Sequence, residues 1–321
     1  MAMSDVQEQK IPIGISACLL GEEVRYNGGH KRSVFCIRDL APYFDYQPVC
    51  PEVAIGLGIP RPAIRLQGDF DAPRVVGSGD NTIDVTDELS SYSVSQAGMG
   101  TELSGFIFMK NSPSCGLYSA KVYTDKGVHP KKRAGIFAAE LVKANPNLPV
   151  EEEGRLNDPV LRESFIARVF VYHEIRMQAK AGKSAAKLVA LHSRLKYFVM
   201  SYGNPIYKKL GQLVANAGVG DINDVWDEYV SELMAGTRKA PNHKGHSNVL
   251  YHLLGYLNKE VSGPFRQELV GAIEEYRQRQ VPLAVPMKLL GHYLDHYASD
   301  YIRQQFYLRP HPRALGLRNA L

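Results

Sequence analysis

A chain of 321 residues, 45% hydrophobic and 22% charged, has a globular composition and enough length for two ordinary domains with separate cores. No apolar run approaches the roughly 18 residues of a bilayer-spanning helix, and four cysteines in this length do not make a secreted disulfide scaffold. The formal net charge of +5 is unevenly placed: residues 1–154 carry 15 Lys and Arg against 19 Asp and Glu, net −4, and residues 155–321 carry 23 against 14, net +9. Met1-Ala2-Met3-Ser4-Asp5-Val6-Gln7 has no basic stretch followed by an apolar one, so no secretory signal is read and the expected location is cytoplasmic, where thiols stay reduced.

The first half predicts an α/β domain over residues 1–150, a mostly parallel sheet with flanking helices. Ile11–Ala17, Tyr46–Cys50 and Ser104–Met109 are short apolar runs bounded by Gly, Pro or Asn, the pattern of buried strands. Asp84–Gly98 predicts a helix with Thr86 as N-cap and two acids in its first turn. His129–Ala144 predicts another, opened by Pro130. Its start, Lys131-Lys132-Arg133, opposes the helix dipole and reads equally as a substrate-facing cluster or a solvated helix end. Residues 145–154, with two prolines and an acidic run, predict a linker. After it the pattern is helical almost throughout, giving an all-α second domain over 155–321. Its predicted helices cover Asp158–Lys180, Ser184–Val199, Pro205–Ala217, Ile222–Met234, Ser247–Leu257, Gly263–Arg279 and Pro286–Gln305.

Three cysteines stand in short loops after or beside predicted strands: Cys18 in Ala17-Cys18-Leu19-Leu20-Gly21, Cys50 in Cys50-Pro51-Glu52, and Cys115 in Ser112-Pro113-Ser114-Cys115-Gly116. None has another cysteine two to four residues away, so a zinc knuckle is a poor reading. Three thiolates at one end of a sheet would leave a bound metal or cluster one open site. Two other readings stay open on the residues alone. A zinc ion could take a fourth ligand from His30 or His129, the two histidines of the first half. Or one thiol could be a nucleophile while the others pack as small hydrophobes. Cys36, in the amphipathic stretch Ser33–Arg38, reads as a core residue.

A resemblance then becomes specific. The cysteine motifs above, with Arg25-Tyr26-Asn27-Gly28-Gly29, Gly56-Leu57-Gly58-Ile59-Pro60-Arg61-Pro62, Asp84-Val85-Thr86 and Lys110-Asn111, resemble the thiouracil desulfidase (TudS) family in order and spacing over roughly residues 10–145. Lys244-Gly245-His246-Ser247-Asn248, Pro282-Leu283-Ala284-Val285-Pro286 and Leu315-Gly316-Leu317-Arg318-Asn319 resemble the YbgA-like helical domain. The fusion is similar to RudS-like desulfidases, which act on 4-thiouridine in tRNA. The resemblance implies a 4Fe–4S cluster on Cys18, Cys50 and Cys115; the chemistry expected of its open iron is to bind the thiocarbonyl sulfur, with hydrolytic, non-redox release of hydrogen sulfide.

Beside the cluster, Glu52 follows a ligand by two residues and is the expected acid and base. Ser112 and Ser114 are read as catalytic as well, either donating to the site, placing water, or only capping the next helix. Arg25, Tyr26 and Asn27 are expected to bind substrate, by stacking and by phosphate or ring-oxygen contacts, with Arg61 and Lys110 as weaker candidates. A free base needs no basic domain, so tRNA is the expected partner. The expected contacts are Arg194, Lys196, Lys208, Lys209, Lys239, Lys244, His246, Arg303, Arg309, Arg313 and Arg318, with Tyr197, Tyr207 and Tyr307 interleaved for stacking. No membrane contact or obligate protein partner is expected. Two rival functions remain: desulfidation of free thiouracil, and a non-catalytic iron–sulfur protein that binds or senses RNA.

Overall fold

The computed structural model describes residues 10–257 and 260–321, in two compact units divided between Asn157 and Asp158. The first unit holds two four-stranded sheets. One is parallel throughout, in the order β2-β1-β5-β8, from β1 (Ile11–Ser16), β2 (Phe44–Val49), β5 (Phe106–Phe108) and β8 (Val150–Glu152). Its two central strands, β1 and β5, are apolar because they are covered: Ile13, Ile15, Phe106, Ile107 and Phe108 are fully buried. Gly14 lets β5 close in, since a Cβ there would lie 2.2 Å from the Phe106 ring.

The second sheet, β4-β3-β6-β7, is mixed and comprises β3 (Ile64–Gly68), β4 (Pro73–Gly77), β6 (Ala120–Thr124) and β7 (Gly127–Arg133). It packs Leu66, Val75 and Val122 against Val85 and Leu89. Helices α1 (Pro51–Ala54), α2 (Thr86–Gln96) and α3 (Ile136–Ala144) complete the unit. Thr86 lies inside α2, where its hydroxyl accepts from Val75 N at 2.8 Å, and Val85 is the N-cap.

Two further expectations fail here, besides Thr86 as N-cap. The helix predicted from His129 begins only at Ile136, because Gly127, at φ +105°, turns the chain into a hairpin and residues 127–133 become an edge strand. Pro130 sits where the register against β6 is irregular, a position that lacks a ladder hydrogen bond to lose. The Lys131-Lys132-Arg133 cluster therefore lies on that strand. The linker predicted over 145–154 is instead interrupted by β8, which pairs with β5, and Glu151 and Glu152 are buried.

The second unit is helical: α4 (Pro159–Lys180), α5 (Ala185–Tyr202), α6 (Asn204–Ala215), α7 (Ile222–Gly236), α8 (His243–Gly255), α9 (Gly263–Arg277), α10 (Ala284–Tyr297) and α11 (Asp300–Arg303), followed by 3-10 turns. Asp158, Ser184, Asp221 and Asn242 cap their helices through side-chain oxygens, each accepting at least one of the amides left over in the first turn. The predicted Pro286–Gln305 helix breaks at Ala298 into α10 and α11, where Ser299 restarts it. One core joins these helices around Trp226, Tyr229, Leu195 and Leu250. No helix among the described residues is long and apolar enough to cross a membrane.

Candidate active site

In the parallel sheet the chain leaves β1 toward β2 on one side and β5 on the other, so a crevice opens at the carboxyl ends of these strands. Cys18 lies in the 3-10 turn that follows β1, Cys50 is the N-cap residue after β2, and Cys115 lies in the loop after β5. All three line one cavity of about 330 Å³, together with Glu52 and Ser112. Cys36 does not line it; that residue is buried in a π-helical turn, with its carbonyl accepting from the Tyr46 hydroxyl at 2.8 Å.

Glu52 is held at both oxygens. Its Oε1 accepts from the Ser114 hydroxyl at 3.0 Å, and its Oε2 accepts from Arg61 Nη2 at 2.8 Å and Nε at 3.2 Å. The Arg61 side chain is only 4% exposed and also donates to Val24 O at 2.9 Å and Gly58 O at 3.3 Å. Arg61 lines the same cavity, and these bonds let it orient Glu52. The two serines divide their work. Ser112 Oγ accepts from Ser114 N at 3.2 Å and Cys115 N at 3.0 Å, closing the turn before the cysteine, while Ser114 is fully buried behind Glu52.

Burial raises all three thiols. Cys18 is pushed up to about 11 by burial and by neighbouring Cys50, against a smaller lowering by Arg25. Cys115 is raised well above its ordinary value by burial, and Glu52, Cys50 and Cys18 add to the effect while a hydrogen bond from Ser16 opposes it. Cys50 is raised chiefly by burial. Thiols that oppose one another's ionisation in this way suit a cationic group set among them, which would favour all three thiolates together. Among the described residues no three His, Cys, Asp or Glu side chains converge tightly enough to hold a metal ion. The thiols surround a cavity rather than a point, an arrangement that fits a cluster better than zinc. His30 and His129 are outside the cavity lining: His30 Nδ1 accepts from Arg32 N at 3.3 Å, and His129 stacks on Phe70 at 4.3 Å.

The cavity wall also carries Arg25, Tyr26, Lys31 and Lys110, with the Arg25 guanidinium 5.7 Å from the Tyr26 ring centre. Asn27 does not line it. Its side-chain oxygen accepts from Gly29 N at 3.2 Å and builds the turn that Gly28 completes at φ +71°. Sequence reasoning passed over Lys31, and also Ser16, whose hydroxyl accepts from Met109 N at 2.9 Å and reaches Cys115. Ser16 ends β1 two residues before Cys18, a position that could have been read.

In the helical unit two predicted RNA contacts are structural instead. Arg318, its side chain 11% exposed, donates to Glu163 Oε1 at 2.8 Å and to Tyr307 O at 2.7 Å. His246 is buried and hydrogen-bonded to the Tyr307 hydroxyl at 2.9 Å, and burial, with Arg318 nearby, pushes its pKa down to about 3. Tyr197 and Tyr307 are buried too and cannot stack on a base. Lys208, Lys239, Lys244 and Arg313 are exposed. Arg194, Lys209, Arg303 and Arg309 pair with Glu174, Glu232, Asp300 and Asp295, and Lys196 lies over the Tyr197 ring at 5.3 Å.

Residues 13–153 match the sequence model of a family described as 2-thiouracil desulfurase. The Bacillus subtilis (strain 168) protein YbbK, described as uncharacterized, is 32% identical over 154 residues, 45% of this chain and 97% of that protein. The chain belongs to the 2-thiouracil desulfurase family. The desulfurase domain is joined to a second one: residues 196–312 match a protein family of unknown function, DUF1722. The Escherichia coli (strain K12) protein YbgA, also uncharacterized, is 29% identical over 159 residues, 49% of this chain and 94% of that protein. A solved structure of a [4Fe-4S]-dependent thiouracil desulfidase, TudS, is 30% identical and covers 48% of this chain and 99% of that one, with a TM-score of 0.39.

Proposed function

We propose that this desulfurase-family protein converts 4-thiouridine in transfer RNA to uridine and releases hydrogen sulfide, with Cys18, Cys50 and Cys115 holding a 4Fe–4S cluster. The observation that carries the reading is the convergence of three thiols, two buried and one half-buried, and of Glu52 on one cavity. Three protein ligands suit a four-iron cluster that keeps one iron open, and the cofactor is the one named for the 30%-identical desulfidase. When bound, such a cluster supplies a Lewis-acidic iron with affinity for sulfur.

The chain's own residues supply the proton transfers. The reaction exchanges the thiocarbonyl sulfur for the oxygen of one water, so it needs neither oxidant nor reductant. Glu52 takes one proton from the water as its oxygen bonds to carbon 4 and gives it to the sulfur as the carbon–sulfur bond breaks; the water's second proton leaves the new oxygen as the carbonyl forms, so both end on the released hydrogen sulfide. Arg61 and Ser114 hold the carboxylate in one orientation through both steps. Arg25, Lys31 and Lys110 give the cavity a cationic wall, which suits a phosphate-bearing substrate over a neutral base. The net +9 of residues 155–321, with exposed Lys208, Lys239, Lys244 and Arg313, supports an RNA carrier.

The test compares iron-loaded full-length protein on 4-thiouridine transfer RNA and on free 4-thiouracil, reading the nucleoside products by mass spectrometry. Conversion of the RNA at the higher kcat/KM is expected. Preference for the free base would overturn the RNA assignment, and no conversion of either would overturn the desulfidase reading.

A further inference from the structure

Cys115 and Ser114 lie in a loop that leaves β5 and returns into β6, so something must fix its far side against the sheet. Glu152, at the end of β8 and in register with Phe108, does this. It is 4% exposed, and its Oε1 accepts from Leu117 N at 2.8 Å, Tyr118 N at 2.9 Å and the Ser119 hydroxyl at 2.5 Å. Ser119 Oγ in turn accepts from Asn111 N at 2.6 Å, so one carboxylate ties both limbs of the loop. The loop between has no slack. A Cβ on Gly116 would stand 2.7 Å from Ser112 O, and one on Gly135 would stand 2.5 Å from Pro113 O. The turn is held on one side by Gly135, Ile136 and Ala138 N, which donate to Gly116, Pro113 and Ser114 O, and on the other by Glu152, which fixes the limb that follows Cys115.

We infer that Glu152 is a positioning residue for this site: by holding residues 117–119 it sets where Cys115 and Ser114 stand relative to Cys18, Cys50 and Glu52. The inference rests on the reading of Cys115 as a ligand for what that position serves, but the positioning is testable without it. A carboxylate oxygen accepting three donors is a charge-assisted anchor, and removing it takes the acceptor from the buried Leu117 amide and the half-buried Tyr118 amide. Leu117 N and Tyr118 N would then lose this acceptor while the sheet itself, built from backbone pairs, stays whole.

The experiment alkylates the iron-free full chain with iodoacetamide and follows each cysteine by peptide mass spectrometry. In Glu152→Ala the Cys115 rate should rise about tenfold or more, a change that opening of a buried site of this kind produces. Cys36, buried elsewhere in the same unit, is the internal control and should react at the wild-type rate. Glu152→Gln keeps an acceptor oxygen and should restore most of the protection. In iron-loaded protein the Ala variant should lose its visible cluster absorption faster under chelator, and the Gln variant should lie between it and wild type. Unchanged Cys115 alkylation in both variants overturns the inference, and so does equal acceleration at Cys36, which would mark general unfolding. If Glu152→Ala is insoluble, Ser119→Ala makes the same comparison with a smaller expected rise. Faster Cys115 alkylation in a chain that never takes up iron would keep the positioning role and sink the cluster reading instead.

Discussion

Glu163→Gln keeps the side-chain shape and removes its charge, leaving Arg318 enclosed without its anion. Burial alone would push the Glu163 carboxyl up; Arg318 and His311 beside it hold it down at about 2, against an ordinary 4.5. That difference corresponds to about 3 kcal/mol of stability at neutral pH. Breaking a buried ion pair from one side costs about 3–5 kcal/mol, which agrees. At a urea slope of about 2 kcal/mol/M the unfolding midpoint should fall by about 1.5 M. Trp226, the single tryptophan, is buried in the helical unit, so its fluorescence follows this transition. Because the folded-state pKa is depressed, the contribution is complete above about 4.5 and disappears as pH falls toward 2. The gap between variant and wild type should therefore narrow below pH 4.5. A midpoint moved by less than about 0.3 M would refute the reasoning and return Arg318 to the set of candidate RNA contacts.

His246 carries a second pH dependence. With its pKa lowered from 6.5 to about 3 by burial and by Arg318, the unfolded chain binds the extra proton between those values, so the helical unit should lose stability as pH falls below 6.5; urea midpoints for wild type and His246→Phe at pH 7 and 5 check this, the variant showing the shallower loss. Ser114→Ala should lower kcat by about 10-fold or more with the cluster spectrum kept, because it frees Glu52, whereas Ser112→Ala should disturb the turn and speed cluster loss. Steady-state rates alongside visible spectra separate the two, and identical behaviour would contradict the division of roles. Replacing Lys208, Lys239 and Lys244 by Ala should weaken transfer RNA binding and reduce the slope of log K against log salt by up to about 3. A slope unchanged in filter-binding titrations would remove these residues from the RNA face.

Much of the fold was readable because its signals are local. Asp158, Ser184 and Asp221 each stand one residue before an expected helix and cap it, and the apolar runs around Ile13, Val49 and Ile107 are strands, whereas the helix expected from Ser247 begins at His243 behind the cap Asn242. The cysteines could be placed because each lies just beyond such a strand. What failed depended on partners distant in sequence. The acidic run at 151–153 reads as solvated unless one knows that the amides of Leu117 and Tyr118, about 35 positions earlier, meet Glu152. Arg318 counts as a basic surface residue until Glu163, 155 positions away, is seen beside it. Pro130 suggests a helix start, and only pairing with β6 shows that it stands on an edge strand. Arg61 could be placed near the site from its motif, but its engagement with Glu52 needed the geometry.

Iron and acid-labile sulfide per chain, measured on anaerobically prepared full-length protein and on its four Cys→Ser variants, test the central assignment most directly. About four iron and four sulfide per chain are expected, lost on replacing Cys18, Cys50 or Cys115 and retained with Cys36→Ser. A colourless protein carrying a single zinc, or loss of iron on replacing Cys36, would contradict it.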